Sequence, residues 1–113
     1  MAMVYLKKRA TNDLARLIIR LMKPAVSFVP LTREQAHDYV DQIVEKCYGL
    51  ADTAIRTKTT YEDHKKFGKY VFRFDKHSHI QWYIIYDLDK YGNVVVKKIM
   101  SNNRTRSKHP LHK

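Results

Sequence analysis

Cysteine is nearly missing from this sequence. Cys47 stands alone among 113 residues, so no internal disulfide can form, and a reducing compartment is the natural setting. No run of about 18 uncharged apolar residues occurs either, which excludes a membrane-spanning helix. The N-terminal stretch reaches Lys7, Lys8 and Arg9 after only a few apolar residues. A secretory signal has the opposite order, with its positive residues first. These absences predict a cytoplasmic protein with no membrane association. With three glycines and three prolines, the chain holds no low-complexity block, and no internal repeat interrupts it. Acid is scarce as well: 11 Asp and Glu face 22 Lys and Arg, a formal net charge of +11.

What is present suits a single domain spanning 1–113, since domains typically run about 100–150 residues. At 44% apolar and 12% aromatic the chain can build one modest core. We place the folded core at 3–100 and a basic C-terminal segment at 101–113. Residues 1–57 carry a net charge of +3 and residues 58–113 a net of +8. The last seventeen residues hold Lys97, Lys98, Arg104, Arg106, Lys108 and Lys113 with no acid among them. A one-sided basic field concentrates a polyanion at the surface and speeds its encounter, so nucleic acid, a ribosome or an acidic protein is the expected partner.

Met3 to Lys7 reads as a brief first strand. Thr11-Asn-Asp-Leu reads as a helix start, in which Thr11 or Asn12 caps the exposed amides and Asp13 suits the positive end. Leu14, Leu17, Ile18 and Leu21 follow at helical spacing, and Pro24 stops the helix. Residues 24–31 form a connector whose apolar middle is Val26, Phe28 and Val29. Thr32-Arg-Glu-Gln35 fits a capping box and opens a second helix. Its buried stripe is Ala36, Tyr39, Val40, Ile43, Val44 and Cys47, which makes Cys47 a core residue, and Gly49 marks its end. Residues 51–66 lack periodicity and read as a loop. Beyond them the period becomes two: Lys69–Asp75, then Ile80–Leu88, then Asn93–Met100, with turns at 75–79 and at Asp89-Lys-Tyr-Gly-Asn93. The predicted fold is α+β, β-α-α-β-β-β, a helical hairpin packed on one face of an antiparallel sheet of about four strands.

That order, in a basic chain of this length, resembles the RelE/ParE toxin superfamily of bacterial type II toxin–antitoxin systems. Ala10-Thr-Asn-Asp-Leu14 is similar to the start of that family's first helix, and Phe67-Gly-Lys-Tyr-Val-Phe-Arg-Phe74 to the strand after its helical hairpin. Trp82-Tyr-Ile-Ile-Tyr-Asp-Leu88 resembles its third strand. Asn93-Val-Val-Val-Lys-Lys-Ile-Met100, with Asn103-Arg-Thr-Arg106, resembles its last strand and basic terminus. The resemblance implies a cognate antitoxin whose extended segment wraps the toxin. It implies one of two activities: metal-independent cleavage of ribosome-associated mRNA in the RelE-like branch, or inhibition of DNA gyrase in the ParE-like branch. A basic nucleic-acid-binding module outside the family is the third reading. No cofactor is expected in any of them.

Metal-free RNA cleavage needs a group to take the 2′-hydroxyl proton, cations for the phosphorane and an acid for the leaving oxygen. The candidates are Arg73, mid-strand among aromatics; Arg104, at the position where RelE-like members carry a phosphate-binding arginine; and His109, which titrates near neutrality. Lys69, Tyr83, Lys97, Lys98 and Arg106 are the candidate nucleic-acid contacts. Strict alternation sends Lys97 and Lys98 to opposite faces, so at most one of them can share the cleft. Two departures from the family stand out: Tyr83 occupies the place of a third-strand arginine, and Pro110 that of a terminal tyrosine. Tyr83 is read as facing away from the core, available to stack on a base. Trp82 and Tyr86 are read as core, and Arg73 has an alternative partner in Asp75 or Asp87. His77 and His79 in a turn do not make a metal site, and none is predicted.

Overall fold

The computed structural model of the chain describes residues 3–23, 30–52, 56–77 and 80–101, the side chains of 76 and 77 excepted. Among these residues nine elements follow one another: β1 (Val4–Leu6), α1 (Lys8–Met22), α2 (Arg33–Gly49), a 3-10 turn (Leu50–Asp52), β2 (Thr57–Lys58), α3 (Glu62–Lys65), β3 (Tyr70–His77), β4 (Ile80–Leu88) and β5 (Val94–Ser101). The α+β layout is as expected, with one correction to the sheet. It has five strands in the order β1-β5-β4-β3-β2 and is mixed rather than purely antiparallel. The chain leaves β1 into the helices and re-enters the sheet at the opposite edge. After the antiparallel meander, β5 returns beside β1 and runs parallel to it, Val4 opposite Val94. The extra strand, β2, is two exposed polar residues and carries no apolar period to read.

Local chemistry explains most element boundaries. The capping box at α2 is formed: Thr32 Oγ1 accepts from the Gln35 N–H at 3.2 Å, and Gln35 Oε1 accepts from the Thr32 N–H at 3.0 Å. α2 closes through the 3-10 turn rather than through a left-handed glycine, since only Gly92 has positive φ among the described residues. At the 89–93 turn Gly92 adopts φ +82°, and Asp89 Oδ1 accepts from the Tyr91 and Asn93 N–H groups at 2.8 and 2.9 Å. Those bonds, Asn93's backbone foremost, hold the Asp89 carboxyl below its ordinary pKa. The turn also anchors β1, because Asn93 Oδ1 accepts from the Met3 N–H at 2.9 Å. β3 runs to His77 with a register irregularity between Asp75 and His77, two residues beyond its expected end.

The first helix is where local reading fails. α1 begins at Lys8, four or five residues early, with Lys7 in place of Thr11 or Asn12 as an N-cap that makes no side-chain bond. Thr11 Oγ1 instead donates to the Lys8 carbonyl. Asp13 lies in the second turn and points at the sheet, where Oδ1 accepts from Lys98 Nζ at 2.9 Å and Oδ2 from the Ile99 N–H at 3.0 Å. β1 covers β5 only through Val96, and Asp13 satisfies an amide on the stretch of edge left beyond it.

Both long helices pack on one face of the sheet. The core there joins Leu14, Leu17, Val40, Ile43, Cys47 and Leu50 to Phe74, Trp82, Ile84, Tyr86, Val96 and Ile99. Cys47 is fully buried, and burial pushes its thiol pKa up to about 12, so it is a packing residue. Trp82 and Tyr86 are core as expected; Trp82 Nε1 donates to the Tyr39 hydroxyl at 3.0 Å. Among the described residues no helix is long and apolar enough to cross a membrane. Pro24, Val26, Phe28 and Val29 lie outside the described residues.

Candidate functional site

The sheet face away from the long helices is not bare. Residues 57–66, expected to be loop, add β2 to the sheet edge and then, with the Phe67-Gly68 crossing, fold across part of this face as α3. Gly68 makes this passage sterically feasible: a Cβ there would stand 3.0 Å from Ile85 Cγ2 and 3.1 Å from the Tyr86 carbonyl oxygen. Phe67 and Val71 then close a second small core on Tyr83, Ile85 and Met100. His64, which sequence reading missed, is the plug of this cover. Only 1% of its surface is exposed, and its ring lies 4.7 Å from that of Tyr83 and 5.2 Å from that of Tyr61. Its Nε2 is buried with no hydrogen-bond partner among the described residues. Burial lowers its pKa, against the opposing pull of Asp63.

Beside this cover opens a concavity of about 500 Å³. Five lysines line it: Lys58 and Lys69 from the β2–β3 edge, Lys65 and Lys66 from the α3 segment, and Lys97 from β5. The one acid in its wall, Asp87, is occupied. Its Oδ1 accepts from the Lys69 N–H at 2.6 Å, and its Oδ2 stands 3.6 Å from Lys97 Nζ. Thr59 Oγ1, also in the wall, donates to the Gly68 carbonyl at 3.0 Å and ties β2 to the crossing. Wide, open and rimmed by ammonium groups, the groove can hold an extended anion without base-specific contacts.

A β-bulge places the last of these lysines. Tyr86 pairs with Val96 but Ile85 pairs with Lys98, so Lys97 is an extra residue in β5. Strict alternation is therefore broken, and Lys97 and Lys98 turn to the same face rather than to opposite ones. Their surroundings still differ. Lys97 reaches the groove, whereas Lys98 is 7% exposed, paired with Asp13 and held 5.3 Å above the Phe67 ring. Arg9 and Lys66 lie 5.2 and 5.4 Å from the same ring.

Of the expected contacts, then, Lys69 and Lys97 meet in the groove. Lys98 is a buried structural cation, which corrects its reading as a nucleic-acid contact. Tyr83 is corrected too: it does face away from the helices, but it is only 9% exposed beneath His64 and its hydroxyl donates to Gln81 Oε1 at 3.2 Å. Burial, then Tyr61, raises its pKa, with Arg73 opposing. Arg73 is exposed on β3 opposite Tyr83, outside the groove lining, and the ion pair of Asp87 goes to Lys97. Arg104, Arg106 and His109 lie outside the described residues, as do His79 and the side chain of His77. Among the described residues no three His, Cys, Asp or Glu side chains gather as metal ligands. Of the missed members, Lys58, Lys65 and Lys66, the last two did leave a signal: Lys65-Lys-Phe-Gly-Lys69 packs three cations, an aromatic and a glycine into five residues. No family model, curated protein or solved structure matches this chain.

Proposed function

We propose that this protein is an RNA-directed toxin of the RelE/ParE kind, restrained by an antitoxin, and that it grips the RNA backbone in the groove of Lys58, Lys65, Lys66, Lys69 and Lys97. The observation that carries the RNA half is that five lysines line one open concavity, and that Asp87, the one acid among the described lining residues, accepts from the Lys69 N–H and pairs with Lys97. The order of a helical hairpin followed by a three-strand meander supports the toxin half. In this reading the groove positions ribosome-associated mRNA, Arg73 offers a guanidinium on the same face, and Arg104 and His109 supply the remaining charge and proton transfer for attack by the 2′-hydroxyl. No metal takes part.

Two measurements test the halves separately. Single-stranded RNA binding should weaken with salt at a log–log slope of about −3.5 for five phosphate contacts, falling to about −1.4 when Lys65, Lys66 and Lys69 are all changed to alanine. An unchanged slope removes the groove from RNA binding. Induced expression without an antitoxin should arrest translation and leave new mRNA ends at ribosomes. RNA binding without arrest would leave a basic binding module and remove the toxin reading.

A further inference from the structure

The helical layer, on the side of the sheet opposite the groove, presents two stripes of opposite sign. On α1, the positions opposite buried Ala10, Leu14 and Leu17 are Lys8, Asn12, Ala15, Arg16, Ile19 and Lys23, all exposed. Ile19 is 56% exposed, an apolar side chain in the middle of a cationic row, with Met22 one turn further on at 37%. On α2, the positions opposite buried Ala36, Val40, Ile43 and Cys47 are Glu34, Asp38, Asp41 and Glu45, again all exposed. Among the described residues no ion pair joins the two helices within the chain; the α1 pairs are Arg16 and Lys98 with Asp13.

We propose that this face is a self-association surface whose occupant is a second copy of the chain, bound about a two-fold axis along the hairpin so that each α1 lies on the other copy's α2. The spacings match. Arg16 and Lys23 on this stripe stand seven residues apart, as do Glu45 and Asp38 read in reverse, which is the direction an antiparallel partner presents. Ile19 falls between the paired rows. The overall charge of +11 does not oppose this contact, because residues 8–49 carry seven basic and five acidic side chains, only +2 of the total. The two grooves, with their five lysines each, lie on the far sides of the dimer and point away from each other.

The size of the face sets the strength. Helices of 15 and 17 residues are about 22–25 Å long, and side by side about 20 Å wide, giving roughly 1,000 Å² for two copies. That is the lower limit of specific interfaces, so a micromolar dimer is expected, weakened by salt. Sedimentation of the full chain between about 1 and 300 μM should show it. Asp38→Lys with Asp41→Lys, or Arg16→Glu with Lys23→Glu, should each weaken self-association roughly tenfold, and Ile19→Glu should do the same. An equimolar mixture of the two charge-reversed variants should dimerise again, since each then offers the sign the other lacks. All these positions are exposed, and circular dichroism of each variant is the check that it folds. A chain that stays monomeric throughout overturns the proposal. So does a dimer indifferent to the reversals, or a mixture of folded variants that fails to pair.

Discussion

Changing Asp13 to alanine separates two accounts of one carboxylate. As a charge near the start of α1, it would contribute about 0.3–1 kcal/mol through the helix dipole. The structure gives it a different task. Both Asp13 and Lys98 side chains are almost buried, 7% and 8% exposed, with 2.9 Å between Oδ1 and Nζ, and the second oxygen takes the Ile99 N–H. Removing the carboxylate strands an ammonium against the sheet and leaves an amide without its acceptor. Breaking a buried pair in this way costs about 3–5 kcal/mol. That is a large share of the ~5–15 kcal/mol that holds a domain folded. Urea unfolding should therefore show a midpoint lowered by roughly 2–5 M, at ~1–1.5 kcal/mol/M. Replacing both partners, Asp13→Leu with Lys98→Met, should recover all but about 1–2 kcal/mol, the residue being the orphaned Ile99 amide. A loss below about 1 kcal/mol for the single change, or a double variant no better than the single, would refute the buried-pair account.

Two further predictions concern the cover over the second face. Because burial holds the His64 pKa below its ordinary value of 6.5, the unfolded chain takes up the proton first. Stability should be full above that pH and fall as pH drops through it, a slope in the urea midpoint that His64→Phe abolishes. Gly68→Ala forces a methyl against Ile85 and the Tyr86 backbone and should cost about 1–3 kcal/mol, whereas Gly49→Ala, with nothing within 4 Å of its Cβ, should be neutral or stabilising by up to ~1 kcal/mol. Denaturant midpoints of the two variants make the comparison.

What sequence could disclose here depended on how far apart the determining atoms lie. The capping box at Thr32 and the turn at Asp89 are made of neighbours, and both were legible. So were the burial of Cys47, Trp82 and Tyr86, which follows from unbroken periods of 3.6 and two. Asp13 was misread because its partner is 85 residues away, and the nearer explanation, a helix end, was available. The bulge at Lys97 was invisible because alternation assumes one residue opposite one. The groove was half legible. Lys69 and Lys97 sat in readable strands, while Lys58, Lys65 and Lys66 sat in a stretch whose fold is set by what it covers rather than by a period of its own. His64 shows the same limit: a polar residue beside Asp63 and Lys65 carries no local mark of a plug.

The bulge in β5 divides one strand into two frames. Val94 and Val96 keep the helical side in the first frame and Ile99 keeps it in the second, and the bulge at 97 absorbs the odd step between them. Lys97 is thus an inserted residue that the core does not need for its phase. Exchanging it for another polar residue should leave the core untouched. Deleting it would join Val96 to Lys98 in plain alternation, with Val94, Val96 and Ile99 still on the helical side and Lys98 still opposite Ile85, at the loss of one groove lysine and of the local bend. At this position the strand tolerates a change of length as well as a change of letter.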